Sequence, residues 1–323
     1  MVVSNLYSKY DIDEFEKGLL RVAKENFSPD AYVFQEGQVL DRDTVSSWLN
    51  RKYTEEQLAE RKLSEKDNVG LNPINDGEGS VEEQNTKNPI YLAHILEHDY
   101  LMKSENTVKL GGIVIGLALN SVHYYQKEKY GATFEMNIPH EKLVEEGKKI
   151  AQEVYARLRA MEEVGDIPIT IALFEQKGRN TIAPGTFCVF TCKSWFFTWR
   201  LEKIDEKYLI LNTSEAEQQH PKDVAFFMRF KDDVEKYFPN YNGIIGRAFY
   251  KNDQLIKLTV DITIQFYGKT EVIGFTQWAT SLVMDHMPDY INVDVNITSV
   301  NGAEALIVKR LAKRNRMFIF IRG

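Results

Sequence analysis

A chain of 323 residues has room for about two domains. Its 43% apolar and 27% charged residues give the balance of an ordinary soluble globular protein. The formal net charge of −7 argues against a nucleic-acid partner, because phosphates call for a basic footprint.

The start, Met1-Val-Val-Ser-Asn-Leu6, lacks the basic region and apolar run of a secretory signal. The longest apolar stretch, Leu110 to Leu119, is half the roughly 20 residues that span a bilayer. The chain alone therefore reads as soluble.

Taken in order, Asp11 to Ala23 is expected to be a helix. Acidic residues crowd its first turn, and Phe15, Leu19 and Val22 form its apolar stripe. Asp41 to Leu49 reads as a second, short capped helix. Residues 64–88 are rich in Glu, Asn, Asp, Gly and Ser without apolar periodicity, the composition of a flexible excursion. Ile90 to Leu101 is expected to be a helix, with Tyr91, Leu92, Ile95 and Leu96 on one side. Val108 to Gln126 and Ala132 to Ile138 read as a hairpin.

Glu141 to Met161 has the strongest helical spacing in the chain, through Leu143, Gly147, Ile150, Val154 and Leu158. Pro168 to Phe174 and Thr186 to Cys192 read as strands. Further on, Leu255 to Phe266 alternates as a strand, Thr270 to Met287 as a helix and Ile291 to Ile297 as a half-exposed strand. Glu304 to Lys313 is expected to be a short helix, and Met317 to Ile321 the last strand.

Two stretches look like copies of one unit. The first opens at Gly112-Ile-Val-Ile-Gly116 and the second at Gly243-Ile-Ile-Gly246. The strands flanking each helix are similarly spaced: Met136 to Ile171 is 35 positions (171 − 136) and Ile262 to Val295 is 33 (295 − 262). The fold class is α+β: two tandem related β-β-α-β units forming mixed sheets with helices packed on them, plus a helical N-terminal segment. The expected domains are 1–63, the helical segment; 64–88, an acidic linker; 89–205, the first unit; and 206–323, the second.

Several patterns could carry chemistry. On a helix, His94-Ile-Leu-Glu97-His98 would place two imidazoles one turn apart on zinc, with Glu97 as base. No third ligand stands out beyond Glu162 and Glu163, and the polar flank of an amphipathic helix is the preferred reading. Gly111 to Gly116 matches no phosphate loop; glycines in a strand more often admit a close neighbour. Cys188 and Cys192 lie roughly 13 Å apart along a straight strand, too far to bridge, and read as buried thiols.

Trp195, Phe197 and Trp199 share one face if extended, and could bind a ligand or partner. Lys309, Arg310, Lys313 and Arg314 form the main basic cluster, a candidate for anionic polymers or headgroups, or simply a solvated helix face. No Gly-x-Ser-x-Gly elbow or paired carboxylates appear. The chain is therefore expected to be non-enzymatic, with no cofactor and no metal.

A family resemblance emerges from blocks that span nearly the whole chain. They are Tyr10-Asp-Ile-Asp-Glu-Phe15, Phe34-Gln-Glu-Gly37, Ser46-Ser-Trp-Leu49 and Gly116-Leu-Ala-Leu-Asn120. Two more are Tyr237-Phe-Pro-Asn-Tyr-Asn-Gly-Ile-Ile-Gly246 and Ile264-Gln-Phe-Tyr-Gly-Lys-Thr-Glu-Val-Ile-Gly-Phe-Thr-Gln277. Together they resemble the CamS family of Gram-positive bacteria. The resemblance implies a sex pheromone precursor lipoprotein on the outer face of the cytoplasmic membrane, whose signal peptide yields the pheromone. It also implies a tandem repeat, and supplies no catalytic residues.

The signal and lipobox cysteine of that pattern do not occur in these residues, so membrane attachment rests on the resemblance. The expected function is an extracytoplasmic binding or scaffolding body for an unassigned ligand or cell-surface protein. The alternative is a cell-wall or peptide-processing hydrolase using zinc at His94 and His98.

Overall fold

The computed structural model describes residues 6–104, 107–192, 200–237, 243–265, 268–311 and 316–321. It divides into two compact units, Met1–Ile204 and Asp205–Gly323.

In the first unit Ser8 caps helix α1 (Lys9–Ala23): its Oγ accepts from the Asp11 amide at 3.0 Å. Strand β1 (Tyr32–Glu36) follows, then α2 (Arg42–Leu49), capped by Asp41, and α3 (Glu55–Arg61), closed by a Thr54–Gln57 capping box. Segment 64–88 holds a short 3-10 turn, Glu65–Asp67, and helix α4 (Val81–Lys87). Asn72, between them, is fully buried. Its Nδ2 donates to the carbonyls of Leu49 and Leu92, and its Oδ1 accepts from the Leu92 amide at 2.8 Å.

The chain continues as β2 (Leu92–Ser104), β3 (Thr107–Asn120), β4 (Val122–Gln126), β5 (Thr133–Asn137), α5 (His140–Arg159), β6 (Ile169–Gln176), β7 (Thr186–Cys192) and β8 (Arg200–Glu202). The main sheet has the order β1-β2-β3-β6-β7-β8. Only β3 and β6 run parallel, joined by the crossover through α5; β4 and β5 form a separate hairpin. Helices cover both faces of the sheet. Ile113, Ile115, Leu117 and Leu119 of β3 meet the α5 stripe Leu143, Ile150, Val154 and Leu158. Val114 and Ala118 meet Phe15, Leu19 and Val22 of α1 on the other face.

The second unit runs β9 (Glu206–Ile210), α6 (Ser214–Gln219), α7 (Pro221–Tyr237), β10 (Ile244–Lys251), β11 (Gln254–Thr263), α8 (Lys269–His286), β12 (Asn292–Ser299), β13 (Gly302–Arg310) and β14 (Arg316–Ile321). Its sheet has strands β9 to β14 in sequence order, and again only one pair, β11 with β12, is parallel. Phe227, Phe230 and Val234 of α7 and Phe275, Ala279 and Val283 of α8 cover one face.

The two sheets share a topology. Counting from β1 and from β9, the third and fourth strands of each sheet are the parallel pair joined by a helical crossover. The repeat is therefore present, but its register differs from the sequence expectation. The counterpart of β11 is β3, whereas the matched spacing from Met136 starts in β5, inside the β4–β5 hairpin that the second crossover lacks. The two glycine blocks likewise fall on different strands. Gly116 of β3 leaves space for the Phe15 ring, and Gly246 of β10 leaves space for Phe227. Each admits a helix aromatic, which is why the blocks look alike.

Two expected helices are strands. Residues 92–101 of the expected helix 90–101 form most of β2, which is buried on both faces and so loses the alternation that marks a half-exposed strand. Residues 304–310 belong to β13, whose antiparallel neighbours β12 and β14 override the helix-favouring composition Glu-Ala-Leu-Ile. The expected hairpin 108–126 with 132–138 also splits at Ser121: β3 enters the main sheet, and only β4 pairs with β5. The strand β1 and the helices α3, α6 and α7 lie outside the elements expected from sequence.

Candidate functional site

The His94–Glu97–His98 motif lies on β2, not on a helix. A strand rises about 3.3 Å per residue, so residues four apart are separated by roughly 13 Å, too far to share one ion. The His94 ring stands edge-on to Phe15 of α1, and the His98 ring edge-on to Phe34 of β1. Glu97 points to the opposite face. Its Oε1 accepts from the Val39 amide at 2.9 Å and its Oε2 from the Leu40 amide at 2.7 Å. Asp99 lies on the same side and accepts from the Gln38 amide at 3.0 Å.

Burial lifts Glu97 to about 7, with its neighbour Asp99 adding to the rise, and burial lifts Asp99 as well. Burial also drops His94 and His98 to about 4, keeping both neutral. The motif thus holds a strap, Gln38 to Leu40, against the sheet. Among the described residues no group of three or more His, Cys, Asp or Glu side chains could hold a metal ion.

The basic cluster is also partly tied into the fold. Lys309 is 1% exposed, and its Nζ donates to Met287 O at 2.8 Å, Pro288 O at 3.3 Å and Asp289 Oδ1 at 2.9 Å. Arg310 pairs across the strands with Asp294, which also takes Lys257 at 2.6 Å. Lys313, Arg314, Trp195, Phe197 and Trp199 lie outside the described residues. Cys188 and Cys192 fall on β7, opposite Leu173 and Ile169 in the backbone register.

The polar side chains that do converge lie at the carboxyl end of the parallel pair in the first unit, where open α/β sheets commonly bind ligands. Here β3 ends at Asn120 and β6 at Gln176, both buried. Gln176 Nε2 donates to Asn120 Oδ1, and Gln176 Oε1 accepts from the Tyr7 amide at 3.1 Å. Asn120 Nδ2 donates to Ile90 O at 2.9 Å, and Ser121 Oγ to Gln176 O at 2.6 Å. Asp11, fully buried, accepts from Ser8 Oγ at 2.6 Å and from the Gly185 amide at 2.8 Å; burial raises its carboxyl despite these donors.

Above this network, Tyr7 and Tyr124 meet edge to face with ring centroids 5.0 Å apart. The Arg179 guanidinium lies 4.2 Å from the Tyr124 centroid and 5.0 Å from that of Tyr7. To one side, His123 accepts from the Ile90 amide at Nδ1, so its Nε2 carries the proton and donates to Asn85 Oδ1 at 2.8 Å. Burial holds that imidazole down at about 4. On the surface, His140 and Glu175 pair at 2.6 Å. Among the described residues no serine or threonine hydroxyl is hydrogen-bonded to a histidine.

The CamS sex pheromone cAM373 precursor family model matches residues 1–315. This chain belongs to the CamS family. It is similar to the C-terminal domain of the sex pheromone staph-cAM373 precursor from Staphylococcus aureus, at 33% identity over 100% of both chains with a TM-score of 0.84. It is also similar to a sex pheromone precursor from Lactobacillus salivarius subsp. salivarius, at 32% identity over 97% of this chain and 88% of that one, with a TM-score of 0.83. No curated protein matched the chain.

The sequence did not single out Tyr7, Tyr124, Gln176 or Arg179 of this CamS-family chain. Their only local signal is Lys177-Gly-Arg179 directly after a strand, which acquires meaning once β6 is known to run parallel to β3. Among the described residues no helix is long and apolar enough to cross a membrane.

Proposed function

We propose that this chain is the non-enzymatic body of a lipoprotein held at the outer face of the cytoplasmic membrane in a Gram-positive bacterium, where it binds a ligand at the cell surface. The family membership supports the precursor role and, by resemblance, the anchoring. The observation that carries the binding reading is the polar convergence at the carboxyl end of β3 and β6. There a buried amide pair supports a surface arginine on two tyrosine rings. The hydrolase alternative loses its geometric basis, because Glu97 and the two histidines lie on opposite faces of β2 and Glu97 is occupied by two backbone amides.

A thermal-shift screen of the purified chain against wall fragments, sugars and peptides tests this reading. The expected result is a concentration-dependent rise in Tm with one class and no turnover of it. Reproducible hydrolysis of any of these compounds, with no stabilisation by the others, would sink the reading.

A further inference from the structure

The crossover from β3 to β6 carries an element that the crossover from β11 to β12 lacks, the β4–β5 hairpin. In a duplicated fold, an element present in one copy only is not required by the shared topology. One face of this hairpin helps to build the Arg179 cluster. Tyr124 of β4 supplies the nearer ring, its Oη accepts from the Arg179 amide at 3.0 Å, and Val122 O accepts weakly from Tyr7 Oη at 3.4 Å. From below, Gln176 fixes the Tyr7 backbone.

The cation so held differs from several other arginines of the unit, although Arg61 likewise lies over a single ring, that of Tyr53. Arg51 ends on the carbonyls of Pro73 and Asn88, Arg157 on Val69 O and Glu153, and Arg159 on Gly165 O. Arg179 is exposed, and among the described residues its guanidinium meets ring faces with no carboxylate or carbonyl acceptor. The Arg179 N–H groups, left without an acceptor beside these rings, match the two oxygens of a carboxylate or phosphate. Locking the side chain in advance lowers the ordering cost of binding.

We propose that Arg179, held on Tyr7 and Tyr124 at the carboxyl end of β3 and β6, is a receptor for an oxyanion, the carboxylate or phosphate group of the ligand. This rests on the reading of the chain as a binding body. The guanidinium clamps the anion edge-on, and Tyr124 Oη, already accepting from the Arg179 backbone, has its own proton to donate to the same group.

The test uses the full chain, labelled with ¹⁵N, and follows the Arg179 Nε–H resonance, assigned by its loss in R179Q, together with the backbone amides of Gly178 and residue 179, which report binding in the variants. Sodium phosphate, sodium acetate and N-acetylglucosamine are titrated at constant ionic strength. Saturable shifts are expected with phosphate or acetate, the tighter of the two naming the group, and none with N-acetylglucosamine. R179K keeps the charge but not the planar fork, and should weaken binding about tenfold or more. Y124F should weaken it severalfold. Shifts that stay linear in concentration, or equal affinity in R179Q, would overturn the assignment. If a wall fragment bound equally well to R179Q, the receptor would fall and the binding reading would stand. If neither anions nor fragments of any class bound, both would fall.

Discussion

The Leu40 amide donates to Glu97 Oε2 at 2.7 Å across 57 positions of sequence, and the Val39 amide takes the other carboxyl oxygen. Together with Asp99 and the Gln38 amide, this clamps three consecutive backbone donors onto β2. Glu97→Gln replaces one acceptor oxygen with an NH₂ that opposes a buried N–H, so it should cost about 1–3 kcal/mol in urea unfolding. The pH dependence has a definite sign. The unfolded carboxyl releases its proton near 4.5, the folded one near 7. The folded state therefore holds the extra proton between these values, and this contribution to stability is lost as pH rises from about 4.5 to about 7. E97Q should reduce that slope, which Asp99, also raised by burial, shares; an unchanged slope would show that Glu97 does not carry it.

The buried histidines act in the opposite direction. His94, His98 and His123 fall from 6.5 to about 4 through burial. The unfolded chain takes up protons below 6.5 that the folded chain accepts only near 4, so stability drops as pH falls through that window. Both His94 ring nitrogens are buried without a hydrogen-bond partner among the described residues. Replacing that ring by Leu should therefore leave stability at pH 7 unchanged or higher, since an unsatisfied buried group is removed. It should also flatten the decline between pH 6.5 and 4. Chemical denaturation at several pH values measures both effects.

Glycine 246 is needed for its missing side chain. A Cβ there would lie 2.5 Å from Phe227 Cε2 and 2.7 Å from Cζ. Gly246→Ala should destabilise the chain by about 1–3 kcal/mol through overpacking. Combined with Phe227→Leu, the total cost should be smaller than the sum of the single changes, because the two sites touch. Strict additivity in the double-mutant cycle would contradict the contact.

Lys309 should behave as an internal strut. Lys309→Met leaves the Met287 and Pro288 carbonyls without their shared donor and should cost about 1–3 kcal/mol. Binding to an anionic polymer such as heparin should be unaffected, because the ammonium does not reach solvent. A clear loss of heparin affinity in this variant would return Lys309 to the surface cluster.

Most of the elements legible from sequence show water only one side, β6 being an exception that is buried on both faces. α1 and α5 carry apolar stripes against charged faces, α8 carries a buried apolar stripe, and β12 alternates strictly from Val293 to Ile297. The misread elements lack that contrast. In β2 the face with His94, Leu96 and Tyr100 and the face with Ile95, Glu97 and Asp99 are both buried, so His94 and His98 imitate a helical repeat. The candidate site was illegible for a different reason. Tyr7, Tyr124 and Arg179 are far apart in sequence, and only the meeting of a hairpin, the segment before α1 and a parallel strand joins them.

Local periodicity and the quoted blocks were enough to read an α+β chain and its family resemblance, and to suggest a repeat whose register the strand pairing corrected. These are properties of neighbouring residues, read through the pitch of a helix or the pleat of a strand. Contacts between distant segments decided the rest. They set which strands correspond in the two sheets and made the His-x-x-Glu-His motif a strap anchor. They also buried Lys309 and left Arg179 on two tyrosine rings. Strand pairing is a long-range hydrogen-bonding choice, and a side chain's face follows from its partner strand, so no window of sequence contains either.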